Sequence, residues 1–145
     1  MNLRNIFFLA FSFLLFMFAC EDKVDPYYEI LFEPTELQFG KVEANQIISQ
    51  KVRIKNTDNS TGAFTGEINI MDSPKFTMDF NGVLTLQKNE SKEIYITFRP
   101  SSVESYTAKL TVSNEESFAE MYINGEGVSP VSFTCSPNVL EFGMV

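Results

Sequence analysis

Ile94-Tyr95-Ile96-Thr97-Phe98-Arg99-Pro100 is the stretch that decides the fold class. Apolar side chains stand at 94, 96 and 98 with Tyr95 and Thr97 between them, the period of two that turns one face of a strand inward and leaves the other wet. Pro100 then stops the run, because proline has no N–H to give to a ladder. The alternation recurs in Val52-Arg53-Ile54-Lys55, in Ile68-Asn69-Ile70 and in Ala108-Lys109-Leu110-Thr111-Val112. Shorter apolar runs at 30–32, 37–39, 76–80, 83–86 and 119–123 fit between these. Turn residues separate the runs, at Glu33-Pro34, Phe39-Gly40, 56–62, Ser73-Pro74, Asn81-Gly82, 99–102 and 124–127. Asn81-Gly82, between Phe80 and Val83, predicts a two-residue hairpin with positive φ at both positions. No stretch past Cys20 sustains a 3.6-residue period. The expected fold is all-β, an antiparallel sandwich of about seven strands.

Composition narrows the function classes. The 145 residues hold one domain with flanking pieces, and the formal charge is −8. An acidic chain without a Lys/Arg cluster repels phosphate backbones, so nucleic acid is not an expected partner. There is no His. That removes the usual general base near neutral pH, the commonest metal ligand, and any Ser-His-Asp or Cys-His pair within the chain. No catalytic residue, metal site or cofactor is expected.

The first residues read as a targeting segment. Arg4 precedes Ile-Phe-Phe-Leu-Ala-Phe-Ser-Phe-Leu-Leu-Phe-Met-Phe at 6–18, a run within the length of a signal-peptide core and short of the ~20 residues that span a bilayer. Ala19-Cys20 follows, and then polar Glu21-Asp22-Lys23. A small residue before Cys at this place resembles the lipobox of bacterial lipoproteins, although Met17 and Phe18 depart from its usual pattern. The resemblance implies a signal peptide at 1–19, acylation of Cys20 as the new N-terminus, and a tether over 20–27. It places the protein in the cell envelope, held in a membrane, expected to be the outer one, by the acyl chains of Cys20. The acidic pair Glu21-Asp22 is similar to surface-export signals of Bacteroidota lipoproteins.

A weak internal repeat joins the two ends of the chain. Phe32-Glu33-Pro34-Thr35-Glu36-Leu37-Gln38-Phe39-Gly40-Lys41-Val42 finds an echo in Cys135-Ser136-Pro137-Asn138-Val139-Leu140-Glu141-Phe142-Gly143-Met144-Val145. The shared frame is Pro, then Leu-x-Phe-Gly-x-Val. The expected organisation is a sandwich over 28–128, then a linker and the first strand of a second repeat over 129–145. A lone strand cannot bury its own apolar face, so the echo belongs to a longer tandem protein, pairs back onto the first domain, or is donated to a partner. With Cys20 lipidated, Cys135 is left over: an intermolecular bond, a missing partner and a buried thiol all remain open.

Residues 32–128 as a whole resemble the ASH-like (abnormal-spindle/Hydin) immunoglobulin-type domains, which occur in the choice-of-anchor D group of bacterial surface proteins. The carrying residues are Leu37, Phe39, Gly40 and Val42 after Pro34, then Ile54-Lys55-Asn56-Thr57, then Phe98-Arg99-Pro100 with Tyr106, and finally Gly125-Glu126-Gly127. Glu104 replaces the family's Gly two residues before Tyr106, and Asp58 stands where Gly is common after Asn-Thr. The resemblance implies an immunoglobulin-like sandwich serving as a structural or binding module. It gives Leu37, Phe39, Gly40, Asn56, Phe98, Pro100, Tyr106, Gly125 and Gly127 structural roles. Tyr106 is expected to be a tyrosine-corner residue and Phe98 to fill the sandwich centre.

Other motifs weigh less. Gly125-x-Gly127 lacks the following helix of a phosphate loop and reads as a turn. Glu90, Glu93, Glu115 and Glu116 read as a solvated face, and the Asp58-Asn59 loop matches no calcium-loop spacing. The expected function is a non-catalytic envelope lipoprotein with protein partners. The alternatives are a carbohydrate-binding accessory protein, using Tyr95 and Tyr122 on the wet side as a platform for a glycan, or the anchored front of a larger enzyme.

Overall fold

Burial follows the alternation closely, with Thr111 in the run at 108–112 buried as well. In the computed structural model, which describes residues 25–132, Val52 and Ile54 are buried while Lys51 and Arg53 face water. Ile94, Ile96 and Phe98 point inward in the same way, as do Ala108, Leu110 and Val112. The leader, Cys20, Cys135 and the echo at 135–145 lie outside the described residues.

Nine strands form: β1 (Ile30–Glu33), β2 (Glu36–Glu43), β3 (Ile48–Asn56), β4 (Phe64–Met71), β5 (Phe76–Met78), β6 (Val83–Leu86), β7 (Ser91–Phe98), β8 (Ser105–Ser113) and β9 (Phe118–Val128). They assemble as two facing sheets, β1-β3-β7-β5 and β2-β9-β8-β4-β6. This is the all-β immunoglobulin-like sandwich, with more strands than the seven or so expected and with one parallel pair. The parallel pair arises at Glu33-Pro34, and the added strands come from that break and from the crossing at 79–82, which divide β1 from β2 and β5 from β6. At Glu33-Pro34 pairing with β3 stops, and the chain passes to the other sheet without reversing direction. β2 therefore meets β9 in parallel, Leu37 opposite Ile123 and Val42 opposite Gly127, with an irregularity between Gln38 and Lys41 where Gly40 takes φ +66°.

Three turn expectations are corrected. Phe39-Gly40 lies inside β2, because pairing with β9 resumes at Lys41 and the positive φ of Gly40 is absorbed as a strand irregularity. Asn81-Gly82 closes no hairpin, because β5 pairs with β7 in one sheet and β6 with β4 in the other. Residues 79–82 carry the chain between sheets, and of the two only Gly82 has positive φ. The physical reason is side-chain demand. Phe76 stacks on the ring of Phe98, while Leu84 and Leu86 are drawn into the opposite sheet, where they are fully buried. The segment 124–127, read as a turn, lies inside β9. Its glycines make room for neighbours: a Cβ on Gly125 would meet the Phe98 ring at 2.5 Å, and one on Gly127 would collide with the Ser102 carbonyl.

Phe98 is the hub of the core at this end. Its ring lies 4.6 Å from that of Phe76, 5.4 Å from Phe39 and 5.5 Å from Tyr106. Phe39 and Tyr106 come from the sheet opposite Phe98, so the cluster joins the two layers. Phe98→Ala is expected to cost roughly 3–5 kcal/mol in denaturant unfolding; a loss under about 1 kcal/mol contradicts the burial. Gly125→Ala should cost about 1–3 kcal/mol by overpacking, and less in a Phe98→Leu background. Strictly additive losses would show that ring and glycine do not meet.

Candidate interaction surface

The sandwich has two ends of different construction. At one, β2, β7 and β9 finish and β3, β5 and β8 begin. At the other, the chain comes in through residues 25–29 beside the β3–β4, β6–β7 and β8–β9 connections.

The first end is organised by Tyr106. Its hydroxyl accepts the Ser102 N–H at 3.1 Å and lies 2.8 Å from the Ser102 hydroxyl, which in turn donates to the Glu104 carboxylate at 2.5 Å. These bonds hold the Glu104 carboxyl below its ordinary range, that from Ser102 being the larger cause and that from Tyr106 the next. Glu104 thus fits where the ASH-like pattern has Gly, with its backbone carbonyl accepting the Gly127 N–H at 2.8 Å. The Pro100 carbonyl accepts the Asn45 N–H at 2.8 Å and so ties the β2–β3 connection to the same corner. Beside it lies an open groove of about 570 Å³, bordered by Ile47, Lys75, Thr97, Arg99 and Ser101.

The second end is organised by Asn56, which is fully buried. Its Nδ2 reaches the carbonyls of Gly62, Leu86 and Gln87 at 3.0–3.2 Å, so one amide stitches two loops. Its Oδ1 has no partner among the described residues. Thr57 and Asn59 both donate to the Glu29 carboxylate, and Thr61 and Tyr27 exchange bonds at 2.9 and 3.1 Å. The loop after β3 therefore clasps the incoming chain. The Thr57 bond first, and the Asn59 bond second, hold Glu29 below the usual carboxylate range.

The outer faces are charged ladders. Lys51 and Arg53 bracket Glu93 at 3.0 and 3.1 Å and lower its pKa, the Lys51 bond contributing most. On the opposite sheet Glu120 raises the pKa of Lys109, whose Nζ also sits 5.0 Å from the centre of the Tyr122 ring. Tyr95 and Tyr122 are each about half exposed, at 50% and 48%. One stands on β7 and the other on β9, in different sheets, so they cannot form a shared sugar platform. The acidic residues do not converge either: Glu90 accepts the Gln87 N–H at 2.6 Å, away from the Glu93 ladder. Among the described residues no three of His, Cys, Asp and Glu group as metal ligands, and no helix is long and apolar enough to cross a membrane.

The family described as Cep192 domain 4 matches residues 27–124. The chain belongs to this family. The Cep192-type assignment agrees with the ASH-like, immunoglobulin-type fold, and a domain of this kind fits a structural or interaction module. Of the solved structures, the ASH/PapD-like domain of human CEP192 (PapD-like domain 7) superposes with a TM-score of 0.58 at 10% identity, covering 77% of this chain and 94% of that one. A family 123 glycoside hydrolase from Clostridium perfringens gives 0.55 at 9% identity over 72% of this chain but only 28% of the enzyme. At these identities the likeness is one of fold. No curated protein matches the chain.

Within the Cep192-type domain, Phe39 and Phe98 are buried at the corner that Pro100 and Tyr106 close, with Gly125 and Gly127 beneath them in β9, and Leu37 is buried farther along β2 opposite Ile123. Gly40 sits at the β2 irregularity, and Asn56 is at the far end. The residues of 28–128 singled out from sequence thus serve two separate ends rather than one site. Ser102, Ser60 and Gly66 went unnoticed in the sequence. Ser60 is buried and accepts the Glu29 N–H at 2.8 Å. Gly66 lets the Phe64 ring approach, and an isolated Gly within a strand pattern was the available signal for it.

Tyr106→Phe should cost about 0.5–1.5 kcal/mol, read as a fall in unfolding free energy. Carboxyls with lowered pKa bind fewer protons folded than unfolded, so their stabilisation is present above the ordinary value of 4.5 and is lost as pH falls through the lowered one. Melting temperature should therefore drop on acidification from pH 5 to 3, and Glu29→Gln should flatten that limb. An unchanged limb would show that the Glu29 carboxylate is unpaired.

Proposed function

We propose that this protein is a non-catalytic cell-envelope lipoprotein, anchored through acylated Cys20, whose sandwich serves as a spacer and protein-interaction module. The observation that carries the reading is the placement of the chain ends. Residues 25–29 are clasped at one end of the sandwich, and β9 leaves at the other after eleven residues, roughly 35 Å of strand. The seven steps from Cys20 to Tyr27 reach at most ~25 Å, which keeps the clasped end near the bilayer and turns the corner of Tyr106 away from it. Acyl chains bury about 0.8 kcal/mol per methylene, and more than one chain makes attachment stable. An acidic domain has little attraction of its own for anionic head groups.

The partners belong to the envelope and meet the outward end or the strand edges through backbone and loop contacts, with no bond made or broken. Support for a non-catalytic role comes from the outer carboxylates: Glu93 and Glu120 are engaged in ladders and Glu90 in a turn, and among the described residues none are grouped as three at one place. The absence of His from the sequence points the same way.

The test is fractionation of cells expressing the whole protein. Wild type should pellet with outer membranes and incorporate labelled fatty acid, and Cys20→Ser should move to the soluble envelope fraction with the label lost. Equal distribution of the two would overturn the anchoring half of the proposal.

A further inference from the structure

The end of the sandwich organised by Tyr106 exposes three apolar side chains: Ile47 at 61%, Val103 at 62% and Val131 at 68%. They come from the β2–β3 connection, the β7–β8 connection and the chain just past β9. Hydrogen bonds hold all three segments together. The Ala44 N–H donates to Val128 O at 2.9 Å, Asn45 N–H to Pro100 O at 2.8 Å, and Val131 N–H to the Glu43 carboxylate at 3.4 Å. The departing chain is thus fastened to this end as far as Val131. Pro130 further narrows the backbone of Ser129.

What comes next in the sequence is the echo of the domain's own opening. The offset is uniform at 103 positions, from Phe32 and Cys135 through Phe39 and Phe142 to Val42 and Val145. Extended back by two residues, it sets Phe133 against Ile30. Ile30, Phe32, Leu37, Phe39 and Val42 are all buried in the first sandwich. Their counterparts Phe133, Cys135, Leu140, Phe142 and Val145 keep the inward positions apolar or thiol-bearing, and Gly143 repeats Gly40, which takes φ +66° at the β2 irregularity.

We infer that this end is an intramolecular docking face for a second sandwich of the same kind, opened by residues 133–145, and that the two units form a stiff pair. The argument is one of reach. Between Val131 and Phe133 there are two residue steps, ~7 Å at full extension. A β-sandwich beginning that close cannot avoid the first, and Ile47, Val103 and Val131 are the apolar surface it meets. In that alignment Cys135 stands at the position of Phe32. The inference deepens the spacer reading, since a stiff junction is what would let stacked units hold a fixed standoff.

Two measurements test it. Following the reading frame past Val145 should reveal the remaining signatures, Asn-Thr, Phe-x-Pro and Gly-x-Gly, each 103 positions beyond Asn56, Phe98 and Gly125; a stop codon directly after Val145 overturns the inference. In the whole protein, elastase cleavage at Val131 should be slow. It should quicken about tenfold or more in Ile47→Asp/Val103→Asp, because local opening sets the rate. Both substitutions fall on exposed side chains, and unchanged melting of the first sandwich, or the milder Ile47→Ser/Val103→Ser pair, keeps the comparison valid. Equal cleavage of wild type and variant overturns the docking face. Membrane retention through Cys20 reads out separately, so a failed junction and a failed anchor are told apart.

Discussion

One aromatic ring on a bare stretch of backbone sets the geometry of this sandwich. Phe98 leaves the end of β7, crosses the interlayer space and lies against Gly125 in β9. The strand beneath it can have no side chain there, so the ring from one sheet rests directly on the backbone of the other. Phe76, Phe39 and Tyr106 then fill the remaining sides. The corner follows from this packing. Because Tyr106 is fixed by its ring, its hydroxyl is available at a defined point to take the Ser102 N–H, and the connection from β7 to β8 needs no glycine at 104.

The opposite end relies on a polar device. Asn56 gathers carbonyls from two loops where an apolar side chain would leave them unpaired in the interior. Its neighbours Thr57 and Asn59 hold the Glu29 carboxylate. The domain is thus closed by an aromatic cluster at one end and by an amide at the other, and the strands between them are uniform enough to bear charged ladders on both outer faces. That division explains why the residues resembling the ASH-like pattern do not gather at one place: most mark one closure or the other, and Gly40 marks the irregularity of β2.

The strands and their buried faces were legible in the sequence because a period of two leaves a direct trace, as at Val52 and Ile54 or Ile94 and Ile96. Punctuation was less legible. Asn81-Gly82 has the composition of a tight hairpin, and local chemistry alone gives no sign that Phe76 and Leu84 are claimed by different layers. Gly125 and Gly127 carry the residue type of a turn, but their reason is the approach of Phe98 and of the Ser102 carbonyl, which depends on partners about 25 positions away. The parallel pairing of β2 was hidden for a similar cause: Pro34 announces a break and gives no indication of where the chain resumes. The family match over residues 27–124 fixes the fold and leaves chemistry open.

The parallel pairing of β2 with β9 has a mechanical consequence. β2 follows directly on the first strand and β9 is the last of the described strands; the two run side by side in one direction and are joined along most of their length. Tension between the ends pulls them past one another, so their ladder is loaded in shear and its hydrogen bonds resist together. An antiparallel pair gripped at adjacent ends would instead peel open one bond at a time. A sandwich threaded in this way bears pulling far better than its modest size suggests.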